Sequence, residues 1–185
     1  MQNTNLKKMT YTALFTALVF ILTYTIKIPM PGGYINLGEG GIYICAVLCG
    51  PFAGAFAGGV GSALADLAGG YPYWILPTLI IKFVEGFVVG KFAQKSVGYV
   101  NKKNLLGMLI AGVFMICAYF VSRFIVLGSD VNSVPAALFA AGMNVFQITA
   151  GIVCTSIVLK ALEKSGVKLS FDNGAKSAKA AKAAK

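Results

Sequence analysis

Residues 41–65 read GIYICAVLCGPFAGAFAGGVGSALA, an apolar run interrupted once, at Gly50-Pro51. A helix needs about 20 residues to cross a ~30 Å hydrocarbon core. Unbroken, this run is one long span. Broken, it is two short helices, because proline cannot donate to the preceding turn and glycine lets the backbone corner. The choice decides whether the chain has five spans or six.

Upstream, an apolar run from Met9 to Ile26 follows Lys7-Lys8. It is longer than a signal-peptide core and lacks a small-residue cleavage site, so it reads as a span. Pro29, Pro31, Gly32 and Gly33 end it and open a loop. Downstream, Gly69-Gly70-Tyr71-Pro72 closes the quoted stretch, and Trp74 to Phe92 is apolar apart from Lys82, Glu85 and Lys91. A basic loop, the run Leu105–Leu127, a polar loop from Gly128 to Ser133 and the run Ala136–Leu162 complete the pattern, with Pro135 near a helix start. The predicted spans are 9–28, 40–50, 52–68, 74–93, 105–127 and 136–162. They form one membrane domain over 1–165, followed by a basic tail at 166–185.

Charge counts the helices. With six spans and the N-terminus inside, thirteen of the sixteen basic residues fall on the inner side. The exceptions are Lys27 and Arg123, near outer helix ends, and Lys82 within a helix. Five spans with the N-terminus outside misplaces only Lys7 and Lys8. Six spans agrees with all three basic clusters and with the breaker at Gly50-Pro51. The prediction is therefore an all-α integral membrane protein, a six-transmembrane-helix bundle with both termini cytoplasmic.

Composition points the same way. The chain is 57% hydrophobic and 12% charged, with a mean hydropathy of +0.77. Soluble domains are ~25% charged, so a soluble globule and a disordered chain are excluded. There is no histidine, which removes histidine acid/base chemistry and histidine-containing zinc sites. Cys45, Cys49, Cys117 and Cys154 lie in apolar runs and read as small hydrophobes, with no metal site. The net charge of +10 belongs to cytoplasmic loops rather than to nucleic-acid binding. No nucleophile–base pair is visible, so the chain is not read as an enzyme. Gly86 to Phe92 only superficially resembles a phosphate loop, since its spacing is wrong and it lacks the Ser/Thr. No cofactor is expected, and any ATP must be used by other subunits.

Small residues repeat every four positions at Gly50, Gly54 and Gly58, and at Ala53, Ala57, Gly61 and Ala65. Each set lets a neighbouring backbone approach closely. Ionisable groups inside a membrane are expensive, so Asp66, Lys82, Glu85 and Arg123 each need an account. Lys82 and Glu85 stand three apart and can meet on one helix face. They form either an internal ion pair or a ligand contact. Asn144 and Gln147 repeat that spacing in the last helix. Polar groups from four helices thus converge on the outer half of the bundle, which suits a pocket opening to one side. The loop 29–40 carries Tyr34, Asn36 and Glu39 among glycines and can act as a lid or as a plain connector. Tyr71, Tyr73 and Trp74 suit either a flat heteroaromatic ring or the interfacial aromatic belt.

Three stretches carry a family resemblance: GYINLGEGGIY at 33–43, CGPFAGAFAGGVGSALAD at 49–66 and PTLIIKFVEG at 77–86. Together they resemble the substrate-binding S component of energy-coupling factor (ECF) vitamin transporters. The branch is the one that holds riboflavin, pyridoxine and hydroxymethylpyrimidine proteins. The resemblance covers roughly Met9 to Glu163. It implies six helices, cytoplasmic termini and a multi-pass place in the bacterial cell membrane. It also implies a vitamin pocket near the outer face, under the loop after the first helix. The implied partners are a transmembrane T subunit and two ATPase subunits, with Ala13 and Ala17 forming the Ala-x-x-x-Ala docking face. Tyr73 and Trp74 would stack on the ligand ring. Lys82, Glu85, Arg123, Asn144 and Gln147 would bond its edge, and Asn36 and Glu39 would act from the lid. A B6 vitamer or hydroxymethylpyrimidine is favoured, with riboflavin next. A stand-alone ion-coupled transporter and a structural subunit without ligand are the rivals.

Overall fold

The computed structural model describes residues 2–30, 33–94, 98–128 and 133–165. Pro31-Gly32, Lys95, most of the loop after Gly128 and the expected tail at 166–185 lie outside the described residues. Six helices follow in sequence: α1 (Gln2–Thr25), α2 (Gly38–Cys49), α3 (Pro51–Gly69), α4 (Ile75–Gln94), α5 (Lys102–Leu127) and α6 (Ser133–Lys164). The loop after α1 departs from the expected pattern. It is an antiparallel hairpin of β1 (Lys27–Met30) and β2 (Gly33–Asn36), with Lys27 opposite Asn36 and Ile28 opposite Ile35. A proline fits a strand in a two-stranded ribbon because both strands are edges.

The break at Gly50-Pro51 separates two helices. Gly50 has φ 93°, a left-handed conformation open to glycine. Its N–H closes α2 on the Ala46 carbonyl at 3.1 Å, and its own carbonyl accepts from Gly54 at 3.0 Å. Pro51 opens α3 at the first helical position, where no N–H is needed. At the other end of α3, Gly70 takes the αL conformation and the Tyr71 N–H bonds the Asp66 carbonyl at 2.9 Å. That cap fixes the last turn of α3, and Asp66 with it.

The helices α1, α3, α5 and α6 are each long and apolar enough to cross a membrane. The 20-residue α4 has the length but carries Lys82, Glu85 and Lys91. The 12-residue α2 is ~18 Å long, and all of its residues are buried. It packs against α1, α3, α4 and α6, as an all-round apolar helix must when it forms the centre of a bundle. The outer faces carry Leu14, Ile21, Phe52, Ile80, Ile125 and Phe146, all exposed. Lipid is the solvent that suits such faces.

The small-residue repeats do packing work. A Cβ on Gly58 would lie 2.8 Å from the Lys82 carbonyl, and one on Gly59 would lie 2.9 Å from the Leu79 carbonyl. A Cβ on Gly86 would run into the Gly54 carbonyl. The backbones of α3 and α4 therefore touch. Gly61 gives the same closeness to α1, at the Thr16 carbonyl. Gly86→Val is expected to lower the thermal midpoint in detergent by several degrees, because overpacking costs about 1–3 kcal/mol. An unchanged melt would show that α3 and α4 part without cost.

Candidate ligand-binding site

Elements meet around a cavity at the hairpin end of the bundle. The non-atom space it spans, open solvent at its mouth included, is about 640 Å³. Helical spacing supplies its walls. Ser62 and Asp66 come from α3, Thr78 and Lys82 from α4, and Tyr119 and Arg123 from α5, each pair four apart and so on one face. Asn144 and Gln147 come from α6, where Ala137, Ala140 and Ala141 leave room above them. Thr23 closes one side from α1, Tyr34 and Asn36 come from β2, and Trp74 comes from the 3-10 turn Pro72–Trp74.

Beneath the cavity runs a buried polar network. The Lys82 ammonium donates to Glu39 Oε1, to Glu85 Oε2 at 2.9 Å and to Met115 Sδ at 3.0 Å. An ammonium has three N–H groups, so all of them are placed. Tyr43 Oη donates to Glu85 Oε1 at 2.7 Å, and Gln147 Nε2 donates to Glu39 Oε1 at 2.5 Å. Gln147 Oε1 then accepts the Asn36 backbone N–H at 2.8 Å. One chain of hydrogen bonds thus ties α4 through α2 and α6 to the hairpin. Charges of this kind persist in an interior only when paired and bonded.

The hairpin has further anchors. Tyr34 Oη donates to Asp66 Oδ1 at 2.6 Å. Burial, with the Asp66 charge behind it, pushes the Tyr34 phenol above its ordinary value, so it remains a donor at physiological pH. Lys27 Nζ sits 4.5 Å from the Tyr24 ring centre, 4.7 Å from Tyr34 and 5.6 Å from Tyr71, a set of cation–π contacts. Asn36 Oδ1 accepts from the Gly38 N–H at 2.8 Å and leads the chain into α2.

The sequence-predicted residues divide into three groups. Asn36, Trp74, Lys82, Arg123, Asn144 and Gln147 line the cavity together. Glu39 and Glu85 lie behind it, fully buried. Glu39 is not a loop residue, because α2 begins at Gly38 and takes it into the first helical turn. Tyr73 is 77% exposed and faces away: the 3-10 turn sends neighbouring side chains in different directions, so Trp74 alone reaches the lining. Trp74 stands 5.9 Å from Tyr119, ring centre to ring centre. Lys82 and Glu85 do pair with each other, but Glu39 is a third member.

Asp66, which the sequence placed in the converging polar set, is part of the lining. Thr23, Ser62, Thr78, Tyr119 and Tyr43 were not foreseen. A signal for three of them was present: Ser62, Thr78 and Tyr119 sit one turn before Asp66, Lys82 and Arg123. Three buried side-chain oxygens, Thr23 Oγ1, Glu39 Oε2 and Asp66 Oδ2, accept or donate no hydrogen bond within the described residues.

A second concavity is apolar. Ala13, Thr16, Ala17 and Phe20 of α1 face Phe56, Leu64, Leu67 and Ala68 of α3 across an open groove. Ala13 and Ala17 are exposed on its floor. This groove is on the outside of the bundle, and it shares no residue with the polar cavity.

Among the described residues, six packed helices with apolar outer faces and a polar cavity at one end have the form of a solute-binding membrane protein. Residues 3–164 match the family described as ECF-type riboflavin transporter, S component, and the chain belongs to that family. It is accordingly a multi-pass membrane protein and a transporter component, not an enzyme. Three relatives extend the comparison. The thiamine precursor transporter HmpT of Lactococcus lactis subsp. cremoris is 28% identical over 174 residues, covering 92% of this chain and 96% of its own. A protein of Pyrococcus woesei, described as "Uncharacterized protein in gap 3'region", is 44% identical over 112 residues, covering 60% of this chain and 74% of its own. A UPF0397 protein of Streptococcus agalactiae is 33% identical over 111 residues, covering 56% of this chain and 60% of its own.

Proposed function

We propose that this chain captures a thiamine precursor of the hydroxymethylpyrimidine class and delivers it for import. The observation that carries this reading is the cavity, around which one tryptophan and polar side chains from several elements converge. The similarity to HmpT along nearly the whole chain supports that ligand class. In this reading Trp74 stacks on the ring, while Asn36, Arg123, Asn144 and Gln147 bond its edge. Lys82, Glu39 and Glu85 hold the floor. The domain at 1–165 crosses the cell membrane six times, with both termini and the tail at 166–185 cytoplasmic and the cavity facing out. The chain itself uses no cofactor. A T subunit docks on the Ala13–Ala17 groove, and two ATPase subunits supply the energy.

Trp74 is the chain's one tryptophan and lies in the cavity, so its fluorescence reports binding directly. Titrating the purified protein with 4-amino-5-hydroxymethyl-2-methylpyrimidine is expected to give saturable quenching with a Kd of about 1 μM or tighter, ~8 kcal/mol. Pyridoxine and riboflavin are expected to bind far more weakly. Flat titrations by both fluorescence and calorimetry would refute the reading.

A further inference from the structure

The charges on the cavity lining are unequal in what they can offer. Among the described residues, the charged members are Asp66, Lys82 and Arg123. Lys82 has placed its donors on Glu39, Glu85 and Met115. Arg123 is itself engaged, although its buried Nε stands with an Asp66 oxygen among the unmet atoms. Asp66 is the one acid among the three. Its side chain is 3% exposed, its Oδ1 accepts from Tyr34, and its buried Oδ2 has no partner. Thr78 brings a second hydroxyl within hydrogen-bonding reach of the same carboxylate. The Gly70 cap and the Tyr34 bond fix the group in place.

An ionised carboxylate only accepts, so an unmet oxygen asks its ligand for an N–H or O–H. We propose that Asp66 is the specificity-determining residue of the cavity and reads an amino-substituted heteroaromatic edge. This rests on the proposed ligand class and adds which edge is recognised. A 4-aminopyrimidine presents an exocyclic N–H beside its ring nitrogen, and protonation of that nitrogen makes a second donor in the same plane. Oδ2 takes the first, and the remaining lone pair of Oδ1 can take the second. The 4-oxo analogue puts a carbonyl oxygen where the amine stood. Its ring N–H is then the one donor left on that edge, and an acceptor faces the Asp66 oxygen that the amine had bonded; sites built to bond a polar group reject its absence strongly.

The test compares 4-amino-5-hydroxymethyl-2-methylpyrimidine with its 4-oxo analogue, by Trp74 quenching and calorimetry. Wild type is expected to prefer the amine by about 100-fold or more. In Asp66→Asn the amine should bind at least ~30-fold more weakly and the preference should fall below ~5-fold, since an amide can turn its own N–H toward the oxo group. Asp66→Ser reads the same ratio if the amide variant does not fold. Equal binding of both compounds by wild type overturns the assignment while leaving the proposed function standing. A full preference retained in Asp66→Asn, or in Asp66→Ser, also overturns it. Failure of wild type to bind either compound removes the ligand class and this assignment together.

Discussion

Lys82→Met is expected to cost about 3–5 kcal/mol and to leave little folded protein in detergent. The side chain lost is a cation shared by Glu39 and Glu85, and all three residues are at most 2% exposed. Methionine matches the aliphatic stem but supplies no proton donor. Two carboxylates would then face each other in an interior with nothing to neutralise them, which is the costly half of a buried pair. Combining Lys82→Met with Glu39→Gln and Glu85→Gln should restore most of the stability, since an uncharged set needs no counter-ion. Tyr43 and Gln147 can still bond the two amides. Thermal melts of wild type, the single variant and the triple variant decide it. A single variant that melts like wild type would mean that Lys82 is not the charge holding the floor together.

Ala13→Trp with Ala17→Trp is expected to reduce association with the T subunit by 100-fold or more, ~2.7 kcal/mol. Both alanines are exposed on the floor of the groove between α1 and α3, where small residues allow a partner helix to approach closely. Two indoles would fill that floor. The opposite face of α1, where Val19 packs at Gly41 and Gly61, would not feel them, and the polar cavity shares no residue with the groove. Precursor affinity should therefore stay within a factor of two. Leu14→Trp, at an already exposed position, is the control that should copurify normally. Copurification of the double variant at wild-type yield would remove the groove as the docking face.

Much of the bundle was legible because its grammar is local. Apolar runs, prolines and glycines mark where helices stop, and Gly50-Pro51 marked a corner between two of them. The hairpin was not legible. Its strands are only four residues each, and Pro29, Pro31, Gly32 and Gly33 read as a connector. What makes the segment a ribbon is its fastening to distant groups, at Asp66, Gln147 and Tyr71. Spacing allowed Lys82 to meet Glu85 and left a ligand contact equally open. Glu39, 43 residues from Lys82, could join them only through the packing of α2. Likewise Tyr73 and Trp74 are neighbours in sequence with opposite fates, which a turn geometry decides and a residue type does not.

The central position of α2 bears on how the protein is made. At about 18 Å and without a lipid-facing side, α2 cannot be held in a bilayer by its own partitioning as a full-length span can. It enters as the short arm of a pair with α3, joined at Gly50. Its surroundings are then completed piecemeal as synthesis proceeds, by α4 and last by α6. Until α6 emerges, Glu39 lacks Gln147 and the Gly40 carbonyl lacks Thr155. A ribosome that stalls before residue 133 leaves a nascent chain with its most buried helix open to lipid on one side, the kind of surface that membrane quality-control proteases survey.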